Sequence, residues 1–181
     1  TAPGSIYGPS TSANAKTIAA LASGVQLPAA VADAVNGADA RQLTARGAMD
    51  LKAEAYSSAY DHFRKAIALD AGDAGALRGA SDAAAGLNRQ QEHRAWLEAV
   101  VKSSPADAAA WIELSRVRAG AGDFDGAIAA ASDAQRLEPG DSRPIEQLAS
   151  VFADMGDAAR LAPVADLLAS RYPERAEGPY Y

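Results

Sequence analysis

The turn signals of this chain recur every 34 residues, and this period constrains its fold more than any other feature. Ala71-Gly72-Asp73 is followed by Pro105-Ala106-Asp107, Pro139-Gly140-Asp141 and Pro173-Glu174-Arg175. A period of about 20 to 50 residues is typical of proteins that stack copies of one small structural unit. The period divides the chain, without insertion or deletion, into four segments: residues 40–73, 74–107, 108–141 and 142–175.

Each segment has the apolar pattern of two helices. Positions four, seven, eight and eleven follow the spacing of one face of an amphipathic helix. Position four, for example, is always large and apolar: Leu43, Leu77, Trp111 and Ile145. Positions 20, 24 and 27 form a second stripe, which proline ends at position 32 in three segments, because proline cannot continue a helix. The pattern predicts a pair of antiparallel helices in each segment.

Turn-forming residues lie at the expected ends of these helices. Gly122-Asp123 and Gly156-Asp157 supply a helix stop and an N-cap near position 15, and Leu87-Asn88 takes that place in the second segment. An aspartate also precedes the first helix of each following segment, where we expect it to cap the helix: Asp73, Asp107 and Asp141.

Composition supports closely packed helices and excludes several functions. Alanine, the best helix former, makes up about a quarter of the chain. The net charge of −6 argues against nucleic acid or an anionic membrane surface as the main partner. No apolar run is long enough to cross a bilayer, and the absence of cysteine excludes disulfides and thiolate chemistry. The bias toward alanine and arginine suggests a bacterial source, with cytoplasm and periplasm both open.

The repeat pattern resembles the tetratricopeptide repeat family, whose signature has W, L, G and Y in the first helix and A, F, A and P later. Segment 108–141 matches best, with these residues in register: Trp111, Leu114, Phe124, Ala127, Ala134 and Pro139. Segment 40–73 departs from the signature at Asp50 and Ala71. The resemblance spans residues 40–175 and implies an all-α fold, a right-handed α-solenoid of antiparallel helix pairs.

The two ends do not follow the template. Residues 1–14 are rich in Ser, Thr, Pro and Gly and are expected to be flexible. Residues 15–39 are expected to form a helical cap over the first repeat, with a second helix from Pro28 to Asn36-Gly37. Residues 176–181 are predicted to begin a truncated fifth repeat; in the alternative, Tyr180 and Tyr181 cover the last helix pair.

In this family the first helices line a concave groove, with positions two, five, six, nine and twelve facing it. The resemblance therefore implies a partner-binding groove formed by Arg78, Asp82, Ile112, Glu113, Arg116, Arg143, Glu146, Gln147 and Ser150, with Gly79 at a further groove position. Its three arginines suit carboxylates of a partner, although the acidic neighbours could instead neutralise them. The lysine and asparagine pattern of chaperone-tail-binding members is not present.

Catalytic patterns are not found. The two histidines, His62 and His93, have no second ligand at a metal-like spacing, and His93 is interpreted as a structural residue. The glycine-rich stretches lack the Gly-Lys-Ser/Thr of a phosphate loop. We expect no enzyme activity and no cofactor. The predicted function is a scaffold that binds another protein or peptide, acidic in character if the arginines are engaged. The alternative is a regulatory, spacer or oligomerisation arm of a larger enzyme or secretion/assembly complex.

Overall fold

The computed structural model describes residues 29–173, with side chains for residue 37 and residues 39–173. This part of the chain contains helices and turns and no strand. Its eight helices are α1 (Ala29–Lys52), α2 (Tyr56–Leu69), α3 (Ala74–Gly86), α4 (Gln90–Ser103), α5 (Ala108–Gly120), α6 (Phe124–Leu137), α7 (Arg143–Asp154) and α8 (Ala158–Arg171). Each predicted segment contains two of them, and α1 also extends before the first segment; the exact repeat boundaries remain a prediction.

The helices stack in chain order, since each one packs against the next. The first helices of neighbouring pairs also touch, α1 against α3 and α5 against α7. The first helices of the second and third pairs lie further apart, since no Cα atom of α3 comes within 8 Å of one of α5. The described chain is therefore an all-α solenoid of helix pairs, with one gap between its second and third pairs.

A left-handed backbone residue turns the chain within every pair. Glu54, Asn88, Gly122 and Gly156 all have positive φ, between 56° and 79°, and all four stand at position 15 of their segments. Glycine and asparagine adopt this conformation readily, so three of these turns follow from local chemistry. The turns predicted near Asn88, Gly122 and Gly156 are confirmed.

Aspartate caps four of the helices. Asp73 and Asp107 accept hydrogen bonds from the N–H groups of the third residues of α3 and α5, as predicted, and Asp123 and Asp157 do the same for α6 and α8. The expected cap by Asp141 differs, because α7 begins one residue later with Ser142 at its N-cap. Asp141 instead accepts a hydrogen bond from the N–H of Arg143, two residues further on.

The core runs along the stack in three clusters. The first joins α1, α2 and α3 around Phe63, the second joins α3 to α6 around Leu97 and Leu114, and the third joins α6, α7 and α8 around Phe152. Many of the buried residues are alanines, whose small side chains let the helices approach closely. Trp96 and Trp111 are only half-buried, and their indole N–H groups donate to the Tyr60 hydroxyl and the Pro105 carbonyl.

The predicted helix end at Asn36-Gly37 is wrong, because α1 continues through it to Lys52. A glycine inside a helix costs about 1 kcal/mol relative to alanine, which the contact of a 24-residue helix with α2 can offset. The predicted flexible segment at residues 1–14, most of the cap at 15–39 and the fifth-repeat segment at 176–181 lie outside the described residues. Within the described range no helix has both the length and the apolar character needed to cross a bilayer.

Candidate functional site

Six of the nine predicted groove residues line one open cavity between α5 and α7, which we term the α5–α7 groove. Its volume is about 380 Å³. The residues that line it are Ala109, Ile112, Glu113, Arg116, Arg143, Glu146 and Gln147. They meet because positions two, five, six and nine lie on one face of a helix, and because α5 and α7 pack side by side.

Arg116 is the most accessible cation of the α5–α7 groove. Its side chain is 66 % exposed and contacts the carboxylate of Glu113, three residues earlier on the same helix. This contact uses one Nη atom of a guanidinium that carries five N–H donors, so further donors remain for a ligand. An exposed pair of this kind contributes little to stability, which makes its exchange for another carboxylate inexpensive.

Arg143 stands at the start of α7, across the groove from Arg116. Its Nε and Nη2 atoms bind one oxygen of Asp141 at 2.7 and 2.6 Å, and half of the side chain remains exposed. The contact with Asp141 raises the pKa of Arg143, so the side chain is a permanent cation. The Asp141 carboxylate therefore fixes the position of this arginine and leaves its outer edge accessible.

The other predicted groove residues lie outside the cavity. Arg78 forms an ion pair with Asp107, the cap of α5, at 2.9 Å. Asp82 and Ser150 are exposed without lining the groove. Gly79, which also holds a groove position, is instead buried against the ring of Phe63.

A second and larger cavity, which we term the His93 cavity, lies between α4 and α5, beside the end of α3. Its volume is about 820 Å³. Its polar lining comes from Gln90, Gln91, His93, Arg94, Glu113 and Arg116. Glu113 and Arg116 border both cavities, so the two form neighbouring parts of one polar surface. The contribution of α4 was missed from the sequence, although a histidine at position 20, where the other segments have Ala, Ala and Leu, is a signal for it.

His93 is buried, with 4 % of its surface exposed. Its Nε2 atom faces Glu113 Oε1 at 3.6 Å and has no hydrogen-bond partner among the described residues. Burial lowers the pKa of His93; the nearby Glu113 opposes this shift, and Arg116 adds to it. The imidazole is therefore neutral at pH 7.

Asp82 on α3 responds to the same surroundings with the opposite shift. Its carboxylate reaches water, but the protein around it displaces enough solvent to raise its pKa. Arg78 lowers this pKa and Glu113 raises it further. The surface between α3 and α5 thus opposes the addition of a proton at His93 and the loss of one at Asp82.

The described residues contain no group of three His, Asp or Glu side chains placed to hold a metal ion. The chemistry that this surface offers is the hydrogen bonding and charge pairing of its arginines, carboxylates and amides.

Several solved structures have the same fold. No protein-family model matches the chain, and no curated protein matches it by sequence. MamA residues 41 to the end from Desulfovibrio magneticus RS-1 superpose with a TM-score of 0.69 at 19 % identity, covering 97 % of this chain and 100 % of that one. A further MamA crystal structure gives 0.69 at 17 % identity, covering 79 % and 78 %.

The first tetratricopeptide repeat domain of Spaghetti (RPAP3), bound to the HSP90 peptide SRMEEVD, gives a TM-score of 0.61 at 16 % identity, covering 66 % of this chain and 95 % of that one. These likenesses concern backbone architecture, and they agree with the eight stacked helices of residues 29–173 and with the turns at position 15. The resemblance seen in the sequence is confirmed at the level of structure: this chain has the fold of the tetratricopeptide repeat proteins.

Proposed function

We propose that this chain is a non-catalytic interaction module that binds an extended acidic segment of another protein in the α5–α7 groove. The observation that carries the proposal is the meeting of Arg116 and Arg143, from neighbouring helices, on one accessible cavity. Arginine suits this role because its planar guanidinium pairs with carboxylates through two parallel hydrogen bonds.

The acidic residues beside the groove leave hydrogen-bond donors of both arginines available. Asp141 and Glu138 pair with Nη2 of Arg143, and Glu113 engages Arg116 through a single Nη atom. An incoming carboxylate can use the remaining donors of each guanidinium. Gln147 provides a further polar contact in the groove, and the Glu146 carboxylate selects against segments that place an acidic residue beside it.

The likeness to a domain that holds the HSP90 peptide SRMEEVD supports peptide binding as an activity of this fold. Chaperone-tail-binding members have a pattern of lysines and asparagines that is not found here. When the alignment starts at the second repeat, the residues at the corresponding positions are Arg78, Asp82, Glu113, Arg143 and Gln147. We therefore expect a different acidic sequence to be the ligand.

The test is selection from a library of random twelve-residue peptides, followed by affinity measurement with the charge-reversed variant Arg116→Glu/Arg143→Glu. We expect enrichment of peptides with two or more acidic residues and at least a tenfold loss of affinity in the variant, since each charge-assisted hydrogen bond contributes about 1.5–3 kcal/mol. Affinity should also fall as salt is raised.

Arg136→Glu is the matched control, because Arg136 is an exposed arginine on α6 that pairs with Asp133 and lines neither cavity. It should leave peptide affinity unchanged. The proposal of binding in the groove is wrong if the selected peptides are not enriched in acidic residues. It is also wrong if the wild-type protein and the double variant bind the peptides with equal affinity.

A second candidate function, an assembly or spacer arm, is favoured by the outer face of α8. This helix has no buried residue, and Leu167 is 39 % exposed. In a solenoid such a face is covered by the next repeat or by another copy. Sedimentation analysis over a range of concentrations tests it: self-association that Leu167→Lys abolishes supports the arm, and a monomer at all concentrations counts against it.

A further inference from the structure

One carboxylate oxygen, Oε1 of Glu113 on α5, lies between two basic side chains. It accepts a hydrogen bond from Nη2 of Arg116 on the same helix, and it faces Nε2 of His93 on α4 at 3.6 Å. The distance to His93 is too long for a hydrogen bond, so Arg116 holds this oxygen. An arginine of the α5–α7 groove and a buried histidine therefore face the same acceptor atom.

The Nε2 atom of His93 depends on Glu113 because it is buried. It has no hydrogen-bond partner among the described residues, and the side chain as a whole is almost fully buried. A proton added to the imidazole makes both ring nitrogens donors and gives the ring a charge. Since a buried charge is costly without a partner, protonation of His93 draws Glu113 Oε1 towards Nε2.

Arg116 can give up this oxygen more easily than a protonated His93 can. The Arg116 side chain is 66 % exposed and that of His93 is 5 % exposed, so water can replace Glu113 around the guanidinium but not around the imidazole. An exposed pair within one helix also contributes little to stability. The contact between Glu113 and Arg116 is therefore the one that opens when His93 is protonated.

In the described chain α4 packs against α3 and α5, and both of these helices carry charges near His93. Burial lowers the pKa of His93; Glu113 on α5 opposes this shift, and Arg116 on α5 adds to it. On α3, the Asp82 carboxylate interacts with Glu113, and Arg78 partly offsets the charge of Asp82. In the free protein at pH 7 the histidine is neutral, and Arg116 keeps Glu113.

We propose that His93 and Arg116 compete for the Glu113 carboxylate, so that protonation of His93 releases Arg116 to an acidic partner and strengthens binding in the α5–α7 groove below neutral pH. The effect on the partner rests on the proposed function, whereas the competition for Glu113 does not. Because the competing histidine lies outside the groove, it regulates Arg116 without touching the ligand.

The direction of the pH dependence follows from the shared oxygen. A ligand that binds Arg116 takes the guanidinium away from Glu113, which leaves Oε1 to His93. The pKa of His93 is therefore higher in the complex than in the free protein. Affinity rises as the pH falls through the pKa of the complex, and it stops rising below the pKa of the free protein. The carboxylates of a ligand stay ionised over most of this range, since their ordinary pKa is about 4.

The competition is tested without a partner by NMR titration of the His93 imidazole. Arg116→Gln should raise the pKa of His93, both by freeing Glu113 and by removing a direct repulsion. In a Glu113→Gln background only the repulsion remains, so the same change should raise the pKa about half as much or less. Arg94→Gln is the control, because Arg94 pairs with Glu98, and it should leave the pKa of His93 nearly unchanged. An equal rise in both backgrounds would overturn the competition.

The effect on binding is tested with an acidic peptide selected at pH 7.5. Its affinity for the wild-type protein should be about fivefold higher at pH 5.5 than at pH 7.5, and the pKa of His93 should rise in the complex. His93→Gln and Glu113→Gln should both abolish this gain, whereas His62→Gln should retain it.

The possible failures are distinguishable. A peptide that binds with equal affinity at both pH values and leaves the pKa of His93 unchanged overturns the release of Arg116, although the groove stands. If no acidic peptide binds, the proposed function and its regulation both fail, and the Arg116→Gln titration still decides whether the two side chains compete for Glu113.

Discussion

The aromatic ring of Phe63 on α2 fills the space that a Cβ atom at Gly79 on α3 would occupy. The same ring lies 2.8 Å from the Cβ position of Gly47 on α1. Phe63 is almost fully buried, so its ring cannot swing into solvent to make room. One aromatic side chain thus sets the distance between three helices of the first two pairs, and both glycines are required for that distance.

Gly79→Ala should therefore destabilise the protein although it raises helix propensity. Overpacking a buried site costs about 1–3 kcal/mol, more than the gain of up to about 1 kcal/mol from replacing a helical glycine. Urea unfolding followed by circular dichroism measures the change. Gly120→Ala is the control, because no atom lies within 4 Å of its Cβ position, and it should be neutral or stabilising. Combining Gly79→Ala with Phe63→Leu should cost less than the sum of the two single changes.

Glu54→Gly should stabilise the protein by about 1 kcal/mol. Glu54 is exposed and has a φ of 57°, a conformation that costs a residue with a Cβ about 1–2 kcal/mol. Gly122→Ala tests the same physics in reverse, because Gly122 has a φ of 79° and open space around it. Glu54→Gly should raise the midpoint temperature of thermal unfolding, and Gly122→Ala should lower it. A destabilised Glu54→Gly variant would mean that the glutamate side chain makes a contact worth more than the backbone conformation costs.

Ser81→Ala and Ser115→Ala should each raise stability by about 1 kcal/mol. Both hydroxyl oxygens are buried without a hydrogen-bond partner among the described residues, and such groups cost about 1–3 kcal/mol. Ser132→Ala is the matched control, since the exposed Ser132 hydroxyl donates to the Ile128 carbonyl. This substitution alters helix propensity by the same amount as the two buried ones. In chemical denaturation, the free energy of unfolding should increase more for the two buried variants than for this control. Equal changes would indicate that water or alternative rotamers satisfy the buried hydroxyls.

Stability should decline as the pH falls below about 6.5, because burial holds the pKa of His93 below its ordinary value. The unfolded chain then binds a proton that the folded chain excludes. The free energy of unfolding therefore falls by up to about 1.4 kcal/mol per pH unit until the pH reaches the pKa of His93 in the folded state. Asp82 has the opposite sign: its raised pKa favours the folded state on acidification, but in the lower range where carboxylates titrate.

Comparison of the free energy of unfolding at pH 7.5 and 5.5 measures this effect. His93→Leu should remove most of the difference, whatever it does to absolute stability. His62→Gln, which removes the other histidine, should retain it. A wild-type protein equally stable at both pH values would show that His93 gains a partner for its proton in the folded state.

Part of the cavity lining could be predicted from the sequence, because the resemblance to tetratricopeptide repeats implies which helix positions share the groove face. Glu113, Arg116, Arg143 and Glu146 were placed together in this way, and they line one cavity. The same rule was wrong for Gly79, since a large ring on another helix takes the space beside it. Arg78 could not be assigned either, because its partner Asp107 stands 29 residues away.

The turn at Glu54 is another feature that could not be predicted from the sequence. Asparagine and glycine, found at Asn88, Gly122 and Gly156, readily adopt the left-handed conformation, but glutamate has no such preference. Its conformation is imposed by the packing of α1 against α2, whose partner residues are separated along the chain. Likewise the chain passes through Gly37 in a helix, although the Asn36-Gly37 pair predicts a stop.

The sequence by itself determined the stacked helix pairs of residues 40–173, because a 34-residue period of large, small and turn-forming residues is typical of units that bury their apolar faces by stacking. Only the tertiary structure decided the gap between α3 and α5, the placement of His93 beside Glu113 and the ion pairs that hold each arginine. The physical reason is one of distance: periodicity acts within a helix, whereas spacing and charge pairing between helices depend on which side chains happen to meet.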